Sequence, residues 1–397
     1  MLAAALLGMA LGVAAPVAPA AAATVVPAAS GLLPPPQFRR YATTDGLPSS
    51  SVYAVAQDRD GAIWFGTKGG IARYDGVDFK VFRHAADDPG SLYDNGIASL
   101  LFDRDGTLWA AGLEAGLNRY DAASGHFTHW GNDPHDPASL SSDKVWSMVA
   151  DADGNLWIGT VRGLDRMRPD HRGFEHVTNP LLGTDPAAFG LVAALYVDAR
   201  QQLWIGSSRG LFRRDIAGSM HRVSQAGTAL PIDAWHIDGD ADEIRVESTH
   251  GLLLVGSDDV VRPLASAGAP DGNGGASARD RSGRLWIGTQ HGLFVQMQPS
   301  APMLAVTDQP VLHGDLPGTW VWSMLVDHEG GLWVTMLDGG VGYLAPGWND
   351  TSRFTHIPDD PTSLRDSIVT AMARGHDGRV WVGERSGRVD KLDPHTG

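Results

Sequence analysis

The chain has 397 residues, 43% of them hydrophobic, which is enough for a large core and more length than one ordinary compact domain needs. A net charge of -15 without any long Lys/Arg run excludes nucleic acid as an expected partner, because the field repels a phosphate backbone. There is no cysteine, so neither a disulfide framework nor a thiolate metal centre holds the fold.

At the N-terminus, residues 1–23 form an Ala/Leu-rich run ending in the small residues Ala21 and Ala23, as an export signal and its cleavage site require. No Lys or Arg precedes Arg39, so the usual positive start of such a signal is missing. Gly8, Gly12, Pro16 and Pro19 interrupt a run that would need about 20 continuous apolar residues to span a membrane. Residues 24–37, with Pro34, Pro35 and Pro36 in succession, read as an extended linker.

From Phe38 onward the chain repeats. One unit runs Val52 to Asp58, the turn Arg59-Asp60-Gly61, then Ile63 to Thr67, Gly70 to Tyr74 and Phe79 to Phe82. Four short runs rich in β-branched and aromatic residues, separated by turn signals, make one four-stranded blade, so the expected class is an all-β propeller. The central aromatic recurs as Trp64, Trp109, Trp157, Trp204, Trp286, Trp333 and Trp381, with Arg245 in an eighth place, at spacings of 41 to 48 residues. Each tryptophan can wedge against the neighbouring blade. Asp60-Gly61, Asp105-Gly106 and Asp153-Gly154 supply the positive φ of a tight hairpin.

Units four and five depart from this frame. Gln201 replaces the turn glycine, and Ile244-Arg245-Val246-Glu247 replaces the Trp-x-Gly strand, so looser packing is expected there. The Gly/Ala-rich stretch Ala265 to Ala278 predicts a long loop with a short, weak inner strand.

Phe38-Arg39-Arg40-Tyr41 resembles the outer strand Phe79 to Phe82 but has no unit of its own. It is expected to be the outer strand of the blade around Trp333, closing a seven-bladed ring over residues 38–344. Residues 345–397 would then begin a second, incomplete propeller. The alternative is a single eight-bladed ring in which the same strand completes the Trp381 unit.

These residues resemble the two-component regulator propeller repeat family. The resemblance rests on Asp45-Gly46-Leu47-Pro48-Ser49-Ser50-Ser51-Val52 and on Asp-x-x-Gly-x-Leu-Trp-Ile-Gly-Thr, most complete at Asp151 to Thr160. It also rests on the inter-blade segments Asp88 to Leu92, Asp136 to Leu140 and Asp360 to Leu364. The resemblance implies a periplasmic, ligand-binding sensor region of a hybrid histidine kinase or diguanylate cyclase receptor. This chain would be a fragment of it, exported and joined to a C-terminal membrane-anchored output domain, with a homodimer among its assemblies. Oligosaccharides are the small-molecule class the resemblance suggests. A streptogramin-type propeller lyase and a protein-interaction scaffold are the rival readings.

Gly206-Ser207-Ser208-Arg209-Gly210 matches a hydrolase nucleophile elbow, but Gly66 to Gly70, Gly159 to Gly163 and Gly288 to Gly292 fill the same frame without the serine. Ser208 is therefore a turn residue, and no catalytic residue is expected. Acidic turns such as Asp103 to Gly106 lack the further oxygen ligands calcium needs, so turn chemistry is the better reading, and neither a metal nor a cofactor is expected. The expected ligand-binding residues are large aromatics near the start of the inner strands. Tyr53, Trp146 and Trp322 share a position that holds Ala98 and Ala193 elsewhere, and Trp235 lies one residue from that level, with Lys144 and His236 beside them.

Overall fold

Short β-rich runs joined by Asp-Gly turns have one economical outcome, a meander of antiparallel strands whose free faces must be buried against further copies. The computed structural model describes residues 36–225, 232–239, 243–249, 251–256, 260–264, 274–306, 316, 320–348, 356, 361 and 363–393. The expected export signal, most of the linker after it and residues 265–273 lie outside the described residues.

Residues 38–344 form seven sheets. The first consists of Val52–Gln57, Ile63–Thr67, Gly70–Tyr74 and Phe79–Phe82 in sequence order. The inner strands of the other six are Ile97–Phe102, Val145–Ala150, Val192–Val197, Ala234–Gly239, Gly274–Arg279 and Val321–Val326. Each inner strand packs against that of the next sheet, and Val321–Val326 returns to Val52–Gln57, so the sheets follow one another around a closed ring. The fifth sheet carries an extra short strand, Ser224–Gln225, parallel to Val260–Pro263.

Ring closure is made by the N-terminal strand, as its resemblance to an outer strand predicts. Phe38–Tyr41 pairs antiparallel with Gly340–Leu344, Phe38 opposite Leu344 and Tyr41 opposite Val341. Tyr41 stacks on Trp333 of its own sheet at 5.6 Å and packs on Tyr74 and Phe79 of the first sheet at 5.1 and 5.8 Å. One side chain thus ties the closing strand to both sides of the seam.

The tryptophans sit between sheets because an aspartate six residues earlier holds each of them. Asp58, Asp103, Asp151, Asp198, Asp280 and Asp327 accept the indole N–H of Trp64, Trp109, Trp157, Trp204, Trp286 and Trp333 at 2.8 to 3.0 Å. The other carboxylate oxygen takes two backbone N–H groups of the hairpin, as Asp58 Oδ1 does from Asp60 and Ala62. This is turn chemistry carried to completion, and both oxygens are spoken for. Six tryptophans and Arg245, rather than seven tryptophans, complete the ring. Trp381 belongs to a separate unit, a three-stranded sheet of Val369–Arg374, Val380–Glu384 and Val389–Leu392, where Gly375 stands in the aspartate's place and the indole is 43% exposed.

The second glycine device concerns space. A Cβ on Gly66 would lie 2.9 Å from Ile97 Cγ2, and one on Gly288 would lie 2.2 Å from Val321 Cγ1, so the glycine two residues after the tryptophan lets neighbouring sheets approach. The inter-blade segments are anchored from the third strand. Asn118 Oδ1 accepts the N–H of Tyr93 at 2.9 Å, and Asp165 Oδ2 accepts that of Ser141 at 2.8 Å, each just after a buried leucine, Leu92 or Leu140. Ser208 lies in a turn, and Ser207 Oγ donates to the Gly210 carbonyl at 3.0 Å as Thr67 does to that of Gly70.

Two expectations need correction. The strand Ile244–Ser248 is not loosely packed: Arg245, Val246, Glu247 and Ser248 are all buried, and Arg245 Nη2 donates to Asp238 at 2.6 Å in place of the Asp–Trp pair. Gly274–Arg279 is a full six-residue strand paired with Leu285–Thr289, because ladder pairing outweighs weak local propensity. Gln201 does take over the glycine's role, at φ 59.

Replacing Asp151 by alanine strands the Trp157 indole and the N–H groups of Asp153 and Asn155. The expected loss is about 3 kcal/mol of unfolding free energy, measured by denaturant titration. Tyr41→Ala is expected to cost about 3–5 kcal/mol by the same measurement.

Candidate functional site

Each inner strand begins with the same irregularity. The pairing register slips by one residue between Val52 and Ala54, Ile97 and Ser99, Val145 and Ser147, Val192 and Ala194, Ala234 and His236, Gly274 and Ala276, and Val321 and Ser323. A bulge leaves its extra residue out of the ladder and re-aims that side chain. The seven extra residues are Tyr53, Ala98, Trp146, Ala193, Trp235, Gly275 and Trp322. Trp235 therefore stands at the same level as the other three aromatics, not one residue from it.

Taken around the ring, large aromatics alternate with Ala or Gly, except where the seventh sheet meets the first and two aromatics are neighbours. There the rings of Tyr53 and Trp322 meet edge to face at 6.2 Å, and Trp320 adds a third ring 6.3 Å from Trp322. Trp320 was missed in the sequence, although the pattern Trp320-Val321-Trp322 places a second indole two residues away. Burial raises the pKa of the Tyr53 hydroxyl, so it stays a neutral donor. Trp235 is 40% and Trp320 is 37% exposed, so this end of the ring presents aromatic surface to solvent. The antiparallel register puts it at the end that carries the turns around Thr67-Lys68-Gly69-Gly70, opposite the aspartate hairpins.

The two polar candidates are placed differently. Lys144 precedes its inner strand and its ammonium pairs with Glu114 of the preceding sheet at 2.8 Å. His236 lies directly across the ladder from Glu247, with Asp238 and Arg245 as its charged neighbours. Burial lowers its pKa and keeps the imidazole neutral. No ring contact joins Trp146 or Trp235 to the Tyr53, Trp322 and Trp320 group among the described residues. Among the described residues, no group of three His, Asp or Glu side chains is arranged to hold a metal ion.

Comparison with known proteins gives a consistent picture. A histidine kinase P4 from Formosa agariphila is 38% identical over 55 residues, which is 14% of this chain and 4% of that protein. The extracellular domain of a hybrid two-component system from B. thetaiotaomicron superposes with a TM-score of 0.71 at 17% identity, over 91% of this chain and 54% of that one. The extracellular domain of a one-component system from the same organism gives 0.63 at 16% identity, over 90% and 52%. This chain thus spans about half the length of those domains. A virginiamycin B lyase from Staphylococcus aureus gives 0.56 at 12% identity, over 75% of this chain and 95% of that one. These likenesses establish the fold and leave the chemistry to the residues. The family model described as "Two component regulator propeller" matches residues 46–69 and 139–162. Residues 38–344 form a β-propeller, two segments of which match the two-component regulator propeller repeat.

Proposed function

We propose that this chain is an extracytoplasmic, ligand-binding sensor module of a bacterial signal-transduction receptor whose kinase or cyclase output lies outside this sequence. The observation that carries the reading is the ring of bulge residues at one end of the propeller. Tyr53, Trp146, Trp235 and Trp322 are each lifted out of a ladder by the same irregularity. Bulges gather where a side chain must be re-aimed, and at this level the aromatics alternate with the small residues Ala98, Ala193 and Gly275. Such surfaces stack on sugar rings and other flat ligands, which makes a neutral oligosaccharide the first class to test. The export signal read in residues 1–23 and the extracellular location of the two similar domains support a periplasmic setting. The sheet in residues 354–397 repeats the blade pattern, including the bulge at Thr370 and an anchor from Asp390 to the N–H of Arg365, and we read it as the start of a second propeller.

A panel of soluble oligosaccharides, each added to the full chain in a thermal unfolding assay, tests this reading. A ligand at about 100 times its Kd is expected to add about 2.7 kcal/mol to stability, without turnover detectable by chromatography. Trp146→Ala and Trp322→Ala are each expected to weaken that ligand at least about tenfold while shifting the unliganded Tm little. Loss of the unliganded fold in step with loss of binding would assign both indoles to packing, and product formation would place the chain among the enzymes.

A further inference from the structure

The fifth sheet holds a buried acid where the other sheets hold almost nothing. Across the ladder from the residue after each bulge stand Gly66, Ala111, Gly159, Gly206, Glu247, Gly288 and Thr335. At Gly66, Gly159, Gly206 and Gly288 a Cβ would run into the first residue of the next inner strand. Glu247 places a whole carboxylic acid at this position and is fully buried. The sixth sheet compensates. Its inner strand opens with Gly274-Gly275 where others open with Val52, Ile97, Val145, Val192 or Val321. The acid stands where a β-branched side chain opens the inner strand at five of the other six seams, Ala234 being the exception.

Among the described residues neither carboxyl oxygen of Glu247 has a partner in full hydrogen-bonding geometry, although Ser277 lies close enough to favour its charged form somewhat. The hydroxyl and charged groups placed around it are engaged with one another. Ser277 Oγ, from the sixth sheet, donates to Asp238 Oδ1 at 2.7 Å. Asp238 and Glu243 hold Arg245, and Glu243 also holds Arg279 at 2.9 Å. His236, directly opposite, is kept neutral by burial. On its other side Glu247 pairs with Leu252, in a strand of Gly-Leu-Leu-Leu-Val that brings no charge. A carboxylate with no partner in such a place is too costly to persist, so the closed seam selects the protonated acid.

We infer that Glu247 is a proton-operated latch on the seam between the fifth and sixth sheets: the seam is closed by the neutral acid and loosens as proton supply falls. Burial, followed by the charge of Asp238, raises its pKa from an ordinary 4.5 to about 8, while Ser277 and Arg245 offset part of that rise. The sign follows from proton counting. Between 4.5 and about 8 the closed seam binds a proton that the open seam gives up, so closure is strongest at acid pH. It weakens as pH rises and levels off above about 8. The strand that would be released carries Trp235 and His236 at the aromatic end of the ring. The latch stands whether or not that end takes a ligand.

Hydrogen–deuterium exchange of the full chain, corrected for intrinsic rates, tests it from about pH 5.5 to about pH 9. In peptides covering Ala234–Gly239 and Gly274–Arg279, seam opening is expected to rise about tenfold per pH unit and then level off near pH 8. Peptides covering Val145–Ala150 should stay flat, and in Glu247→Gln all three should. A flat wild-type profile, or an unchanged slope in E247Q, overturns the latch. Should that variant not fold, infrared difference spectra of the wild type decide: a protonated carboxyl band that disappears near pH 8 upholds the latch. Its absence already at about pH 6 overturns it.

Discussion

Everything in this ring depends on one carboxylate per blade. An aspartate at the hairpin between the first and second strands binds two backbone N–H groups with one oxygen and the next tryptophan's indole with the other. That single side chain fixes the turn, the rotamer of the wedge and hence the angle at which a sheet meets its neighbour. The arginine that faces the tryptophan from the third strand reinforces it, as Arg73 over Trp64 at 5.8 Å and Arg166 over Trp157 at 5.5 Å show. Six of the seven sheets share this local answer and the fifth finds an equivalent.

The fifth sheet is instructive because it breaks the pattern without breaking the ring. Arg245 is as buried as the tryptophans, at 2% exposure, and its guanidinium pairs with Asp238 on the neighbouring strand. A long planar cation with a stem that packs can replace an indole, provided a carboxylate meets it. The exchange brings charge into an apolar wall and coincides with a further departure at Glu247, whose bulk is matched by the two glycines of the next sheet. Changes on both sides of one seam are therefore complementary, and either alone would leave a hole or a clash.

Periodicity made most of the fold legible. Turn glycines, tryptophan spacing and the unassigned segment Phe38 to Tyr41 suffice to place the sheets and the closing strand, because each signal is local and repeated. What was not legible depends on pairing register. Trp235 falls out of line by counting because its bulge can be located only against the partner strand Ile244–Ser248, which lacks the tryptophan that marks register elsewhere. The anchoring role of Asn118 and Asp165 was hidden for a similar reason, since their partners, the N–H groups of Tyr93 and Ser141, lie 24 or 25 residues away in sequence. Weak local propensity misled at Gly274–Arg279, where the ladder on one side and the packing of Glu247 on the other decide the conformation.

The closing strand also sets a timetable. Residue 38 pairs with residue 344, so the earliest part of the ring to leave the ribosome must wait for its partner until nearly every blade has been made. Through that interval the nascent chain carries an orphan strand bearing Tyr41. Long-range closure of this kind is slow, and unsatisfied edges recruit foreign strands. The N-terminal strand is short and carries Arg39 and Arg40 between its two buried aromatics, which makes it a poor template for self-association while it waits. Two arginines that contribute little to the finished core thus have a role during synthesis, when the propeller is still an open fan.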